Sequence, residues 1–147
     1  MTEELYDSDQ LGQPDLELAG FRLWVHKWEF PSHEDGWVVV TANCRAPGAD
    51  IWTSGPILAA YSFVRWLRTC ERLHQKLQGE AILGSDEPNL IVILRPEGST
   101  GRITMEVSIT ADLEDQSHNL TYHMDQSYLP PVLEQTRKIL LSYPDPG

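Results

Sequence analysis

The chain has 147 residues, a length typical of one domain with one sizeable core. Its 22 Asp and Glu outweigh 11 Lys and Arg and give a formal charge of -11, which argues against nucleic-acid binding and favours basic partners. Neither an apolar run of about 18 residues nor a signal peptide is present, so we expect a cytoplasmic protein that does not contact membranes.

Acidic residues are concentrated near the beginning of the chain. Residues 1–21 carry six acids and no Lys or Arg, namely Glu3, Glu4, Asp7, Asp9, Asp15 and Glu17. A charged stretch with few apolar residues is typical of a solvated arm. We predict a flexible acidic arm over residues 1–15 and one domain over residues 16–147. The arm's charge is compatible with a solubilising tail and with a partner-binding role.

The first strands are predicted by alternation of apolar and polar residues. Phe21, Leu23 and Val25 would share one face of a strand. Residues 31–36 are rich in turn formers, and a second strand follows over Trp37–Cys44.

A helix is predicted in the middle of the chain. After a short strand over Ile51–Thr53, Ser54 or Gly55 would cap the helix and Pro56 would occupy its first turn. The helix should extend from Ile57 to Leu77. One of its faces carries a basic row, which we interpret as solvated rather than nucleic-acid-binding because the whole chain is acidic. The row consists of Arg65, Arg68, Arg72 and Lys76.

The second half of the chain predicts further strands and a terminal helix. The strands are expected at Glu80–Leu83, Leu90–Leu94, Arg102–Leu113 and Asn119–Met124, and the helix at Ser127–Tyr143. Strict alternation of apolar and polar residues over Arg102–Leu113 predicts a long antiparallel strand with one solvent-exposed face. We therefore predict an α+β fold, a single antiparallel sheet of about six or seven strands with two main helices packed on it.

No motif in the sequence indicates catalysis. Asp86 and Glu87 are adjacent in an extended segment, so their side chains would point to opposite sides and not form an acid pair. His123 and Asp125 share a strand face, but His118 lies on the other face and a fourth zinc ligand is missing. We predict no catalytic residue, no metal site and no cofactor.

The order of short motifs resembles a known family. The chain has Trp28-Glu29-Phe30-Pro31, then a helix with Trp66-Leu67, Glu87-Pro88-Asn89-Leu90, a long alternating strand, Asp125-Gln126-Ser127-Tyr128-Leu129 and Tyr143-Pro144. Over about residues 20–144 this order is similar to the WapI-type family of small bacterial immunity proteins. The resemblance implies an acidic, non-catalytic α+β domain that neutralises the toxic domain of a polymorphic toxin, often a nuclease, by occlusion.

The partner implied by this resemblance is a basic toxin domain. We expect exposed acids and an aromatic anchor, Trp24, to bind it. The acids are Glu34, Asp35, Asp86, Glu87, Asp112, Glu114 and Asp115. Two alternatives stay open: a small-molecule-binding or regulatory domain with a pocket on its sheet, and an enzyme using His123 with a carboxylate. The sequence does not define the oligomeric state.

Overall fold

The computed structural model describes residues 7–147, and within that range the alternating segments form two antiparallel sheets. Sheet 1 contains β1 (Leu16–Leu18), β2 (Phe21–Trp28), β3 (Trp37–Ala46) and β4 (Ala49–Ala59), in that spatial order. Sheet 2 contains β5 (Ala81–Leu83), β6 (Leu90–Glu97), β7 (Arg102–Ile109) and β8 (Asn119–Asp125), again in chain order. The helices are α1 (Ser8–Leu11), α2 (Ala60–Lys76) and α3 (Leu129–Ser142).

The α+β class is confirmed, but the prediction of a single sheet is wrong. Each strand pairs only with its neighbours in the chain, and α2 separates β4 from β5. The two four-stranded sheets, α2 and α3 share one hydrophobic core. Alternation identifies the buried face of each strand, whereas the pairing of strands depends on contacts that are distant in sequence.

The segment Ser54-Gly55-Pro56 was predicted to start a helix and instead lies inside β4. Gly55 adopts a φ of 139°, and the β3–β4 register shifts between Val38 and Val40. Since β4 is an edge strand, the missing N–H of Pro56 is tolerated there. The helix instead begins at Ala60. Its start is marked by a hydrogen bond of 3.1 Å from the Ala59 N–H to the Ser62 hydroxyl.

The core is built from the buried faces of both sheets, α2 and α3. Trp66 and Phe63 of α2 are its largest fully buried side chains together with Phe21 of β2. Cys44 and Cys70 are free buried thiols. Burial raises the pKa of both thiols and so disfavours the reactive thiolate.

The boundaries of the second half differ slightly from the prediction. The alternation of β7 matches its burial pattern, but the strand ends at Ile109 instead of Leu113. A short 3-10 turn over Gln126–Tyr128 precedes α3, and Pro130 lies in the first turn of that helix.

The beginning of the chain contacts sheet 1. Residues 1–6 of the predicted flexible arm lie outside the described residues. Gly12 and Asp15 are both hydrogen-bonded to β2. The Gly12 carbonyl accepts from the Trp24 indole N–H, and the Asp15 carboxylate accepts from the Val25 N–H. Across residues 7–147, the helices are all too short or too polar to cross a membrane.

Candidate functional site

Three loops lie at the same end of the two sheets. Residues 29–36 connect β2 to β3, residues 84–89 connect β5 to β6, and residues 110–118 connect β7 to β8. We refer to these three loops together as the acidic edge. Strand direction places loops 84–89 and 110–118 at the same end of sheet 2, because antiparallel neighbours place alternate connections at one end of a sheet. Hydrogen bonds to the junction of β4 and α2 place loop 29–36 of sheet 1 beside them.

Hydrogen bonds join loops 84–89 and 110–118 directly and attach loops 84–89 and 29–36 to the junction of β4 and α2. The Thr110 N–H donates to the Asn89 carbonyl, and the Asn89 side-chain amide donates to the Thr110 carbonyl. The Ser85 hydroxyl donates to the Ile57 carbonyl at 2.6 Å, and the Ala60 N–H donates to the Gly36 carbonyl at 2.8 Å. Loop 84–89 therefore lies between the other two loops.

The acidic edge contains eight Asp and Glu and no Lys or Arg. Seven of the eight are the acids predicted to bind a partner, and all seven are exposed: Glu34, Asp35, Asp86, Glu87, Asp112, Glu114 and Asp115. None of the seven forms a salt bridge with another residue in the range 7–147. The structure thus concentrates uncompensated negative charge from three separate parts of the chain on one surface.

Two of these acids also shape their own loops. Asp35 Oδ1 accepts a hydrogen bond from the Trp37 N–H, and Asp112 Oδ1 accepts from the N–H groups of Glu114 and Asp115. Such contacts from a short acidic side chain to the following backbone fix a turn. These two carboxylates therefore help to hold their loops in place, whereas the side chains of the other five acids accept no hydrogen bond within residues 7–147.

Arg65 of the predicted basic row supports the acidic edge from behind. Its Nη2 donates to the Gly84 carbonyl at 3.2 Å. Its Nε is buried and has no hydrogen-bond partner among the described residues. The other three members of the row, Arg68, Arg72 and Lys76, are exposed. Arg65 therefore differs from them, because its guanidinium binds the backbone of loop 84–89.

Exposed apolar side chains accompany the acids, and the sequence analysis missed them. Phe30 and Leu113 are each 49% exposed within acidic-edge loops, and Tyr61, in the first turn of α2, is 39% exposed. Large apolar groups in contact with water are candidate anchors for a partner. For Phe30 and Leu113 the available signal was their position, since each is a large apolar residue among polar and turn-forming neighbours. Tyr61 lies in an apolar stretch and had no such signal.

The predicted aromatic anchor, Trp24, is not available to a partner. Its side chain is only 3% exposed. The indole N–H donates to the Gly12 carbonyl, the ring stacks on Trp52 with 5.9 Å between centroids, and the Arg22 guanidinium lies 5.2 Å from its centroid. The expectation of an exposed anchor at this position is wrong, because the outer face of sheet 1 is covered at that point.

Two clefts lie on other surfaces of the described residues. One cleft of about 500 Å³ contains Glu97 and His123, whose closest N and O atoms are 4.0 Å apart. Another, of about 380 Å³, lies between β2 and α3 and is lined by Asp15, Lys138 and Tyr143. Within residues 7–147, no three His, Cys, Asp or Glu are grouped closely enough to hold a metal ion.

The sequence of the chain matches a known protein family over most of its length. The immunity protein WapI-like family matches residues 14–144, which confirms the resemblance drawn from the sequence and includes all three loops of the acidic edge. No curated protein matches the chain. Among solved structures, a plant transcriptional regulator, PBF-2, is similar at 10% identity and a TM-score of 0.44, with 84% of this chain and 75% of that chain covered.

Proposed function

The chain belongs to the immunity protein WapI-like family, and we propose that it protects its cell by binding a basic toxin domain through the acidic edge. The protein would act in the cytoplasm as a binding module without catalysis. Occlusion of the toxin's working surface is sufficient for neutralisation.

The observation that carries this proposal is the composition of the acidic edge. Three loops bring seven exposed acids together without a compensating Lys or Arg in those loops, and Phe30, Leu113 and Tyr61 lie among or beside them. Concentrated charge of one sign accelerates association with a partner of opposite sign. Exposed aromatic and aliphatic side chains supply the area whose burial sustains a complex.

A basic partner is the one that this surface favours. A domain that binds or cleaves nucleic acid carries positive charge where the phosphates bind. An acidic surface that covers those charges competes with the nucleic acid directly. The five acidic side chains without a structural role in a turn, Glu34, Asp86, Glu87, Glu114 and Asp115, are the ones we expect to contact the toxin domain.

Protection in cells tests the proposal. Toxic carboxyl-terminal domains from the source genome would each be expressed with and without this protein, and growth would be measured. We expect rescue from one such domain and loss of rescue in the double variant Glu114→Lys, Asp115→Lys. The matched control is Glu17→Lys, Glu134→Lys, which makes the same change in charge on exposed residues away from the acidic edge. If the protein rescued growth from none of the toxic domains, the proposed function would be contradicted.

A small-molecule-binding domain is the second candidate, and the cleft between β2 and α3 favours it. Its volume of about 380 Å³ is within the range of ligand sites, and Asp15 and Lys138 place opposite charges on its lining. Zwitterionic metabolites screened by thermal unfolding would raise the Tm of the wild type but not of Lys138→Ala. No stabilisation by such compounds would remove this candidate.

A further inference from the structure

The four edge strands of the two sheets are protected to different degrees. β1 and β5 have three residues each and are packed against α3 and α2, respectively. β4 contains Pro56 and an irregular register, and its Ile57 carbonyl is already bonded to Ser85. Short length, helical cover, proline and bulges are the usual devices that prevent an edge from pairing with another chain.

β8 has none of these devices. It pairs with β7 in a regular register over all seven of its residues and contains no Pro and no Lys. Its inner side is fixed, because the Tyr122 hydroxyl donates to the Arg45 carbonyl and lies 3.0 Å from Cys44 Sγ. The strand is thus held firmly on the body while its outer edge is left open.

The outward backbone groups of β8 can be identified from two hydrogen bonds. Ile109 N donates to the His118 carbonyl at 3.1 Å, and Gln126 N donates to the Gly101 carbonyl at 2.9 Å. Both pairs are in the β7–β8 register, and hydrogen-bonded pairs alternate with non-bonded pairs in an antiparallel ladder. The N–H and C=O groups that point away from β7 therefore belong to Asn119, Thr121, His123 and Asp125.

These outward groups are available to a partner. All four residues are exposed. Within the part of the chain that the structure describes, the backbone N–H and C=O of Thr121 and His123 have no hydrogen-bond partner. An extended segment laid along β8 would satisfy them by adding a fifth strand to sheet 2.

The charge near β8 indicates which kind of partner strand would pair with it. β8 directly follows the acidic loop 110–118 and ends at Asp125, and residues 103–136 contain no Lys or Arg. A second copy of this chain, with a formal charge of -11, would be repelled, whereas a basic strand would be attracted. We propose that β8 pairs with an extended, basic segment of the toxin domain, an inference that rests on the proposed function and specifies its binding mode.

Hydrogen exchange and one proline variant test this inference. The probe is the toxin domain from which the protein rescues growth, in a form with its toxicity inactivated. On complex formation, exchange of the Thr121 and His123 amides should slow by at least about tenfold, whereas the Leu120 and Tyr122 amides, already bonded to β7, should change little. Thr121→Pro removes an outward N–H and no ladder bond, so it should weaken binding about tenfold relative to Thr121→Ala, which also loses the side chain but keeps that N–H.

The outcomes separate the two proposals. If the wild type does not bind any toxin domain, the proposed function fails and this inference fails with it. If the wild type binds, but the Thr121 and His123 amides stay unprotected and a folded Thr121→Pro binds equally well, the β8 inference alone is overturned. Sedimentation of the free protein should show a monomer, and a dimer that Thr121→Pro abolishes would instead assign the edge to a second copy.

Discussion

Asn89 and Thr110 hold two loops of the acidic edge together by reciprocal hydrogen bonds. The Asn89 Nδ2 donates to the Thr110 carbonyl at 2.9 Å, and the Thr110 N–H donates to the Asn89 carbonyl at 3.0 Å. Thr110 is buried, so its carbonyl depends on a protein partner. The relative placement of Asp86 and Glu87 in one loop and Asp112 in the other is therefore set by this pair.

Replacing Asn89 by Ala should destabilise the protein by about 1–2 kcal/mol, because it removes a side-chain donor from a buried carbonyl. Urea unfolding measures the change. Asn119→Ala is the control, since the exposed Asn119 side chain makes only a bond of 3.5 Å to Ser117. Equal unfolding free energies for the two variants would show that the Asn89 side chain does not hold the loops.

Charge reversal on the acidic edge should slow association with a basic toxin domain. For Asp86→Lys, Glu87→Lys, we expect the association rate to fall about tenfold at low salt and much less at high salt, where charges are screened. Stopped-flow mixing at two salt concentrations measures both effects. The control variant Glu17→Lys, Glu134→Lys makes the same change in total charge elsewhere. If it slowed association equally, total charge and not the acidic edge would be responsible.

Leu113→Ala and Trp24→Ala should separate binding from stability. Leu113 is half exposed on the acidic edge, so its truncation should weaken toxin binding by about 1–2 kcal/mol and change the unfolding free energy by less than about 0.5 kcal/mol. Trp24 is buried, and its truncation should lower the unfolding free energy by about 3–5 kcal/mol. Calorimetric titration and urea unfolding of both variants measure the two quantities. A destabilised Leu113→Ala with normal affinity would contradict the assignment of Leu113 as an anchor.

His26 should make the protein less stable as the pH falls. Its Nε2 lies 2.8 Å from Thr41 Oγ1, and burial lowers the pKa of the imidazole below its usual value despite the nearby Asp15. The unfolded chain therefore takes up a proton more readily than the folded protein. The stabilising contribution is complete above the unfolded pKa of about 6.5 and is lost as the pH falls toward the lower folded pKa.

His26→Gln should remove this part of the pH dependence. The expected result is a smaller loss of unfolding free energy between neutral and mildly acidic pH than in the wild type, measured by urea unfolding at each pH. An identical loss in both proteins would show that proton uptake by His26 does not contribute.

Local sequence patterns predicted the elements better than they predicted their arrangement. The alternation over Arg102–Leu113 and the prolines before Val132 depend on neighbouring residues. The structure confirms the strand as far as Ile109 and the prolines at the start of the helix. The division into two sheets and the strand character of Ser54-Gly55-Pro56 depend on pairing with distant residues. A glycine followed by a proline is equally typical of a helix start and of an irregular edge strand.

The acidic edge was predictable residue by residue but not as a surface. Loops rich in Asp, Glu and turn formers are expected to be exposed, which is why the seven acids were identified correctly as exposed. Their proximity follows from the sheet topology, which alternation does not reveal. Trp24 was misassigned because strand parity placed it on the outer face of sheet 1, and the contact with Gly12 that buries it comes from outside the strand.

The most direct test of the account is the Kd of the inactivated toxin domain for the wild type, for Glu114→Lys, Asp115→Lys and for the control Glu17→Lys, Glu134→Lys. We predict a Kd at least about tenfold higher for the acidic-edge variant than for the wild type at low salt, and a control Kd close to that of the wild type. If the acidic-edge variant and the wild type had the same Kd, toxin binding would not involve loop 110–118, and the central claim would be wrong.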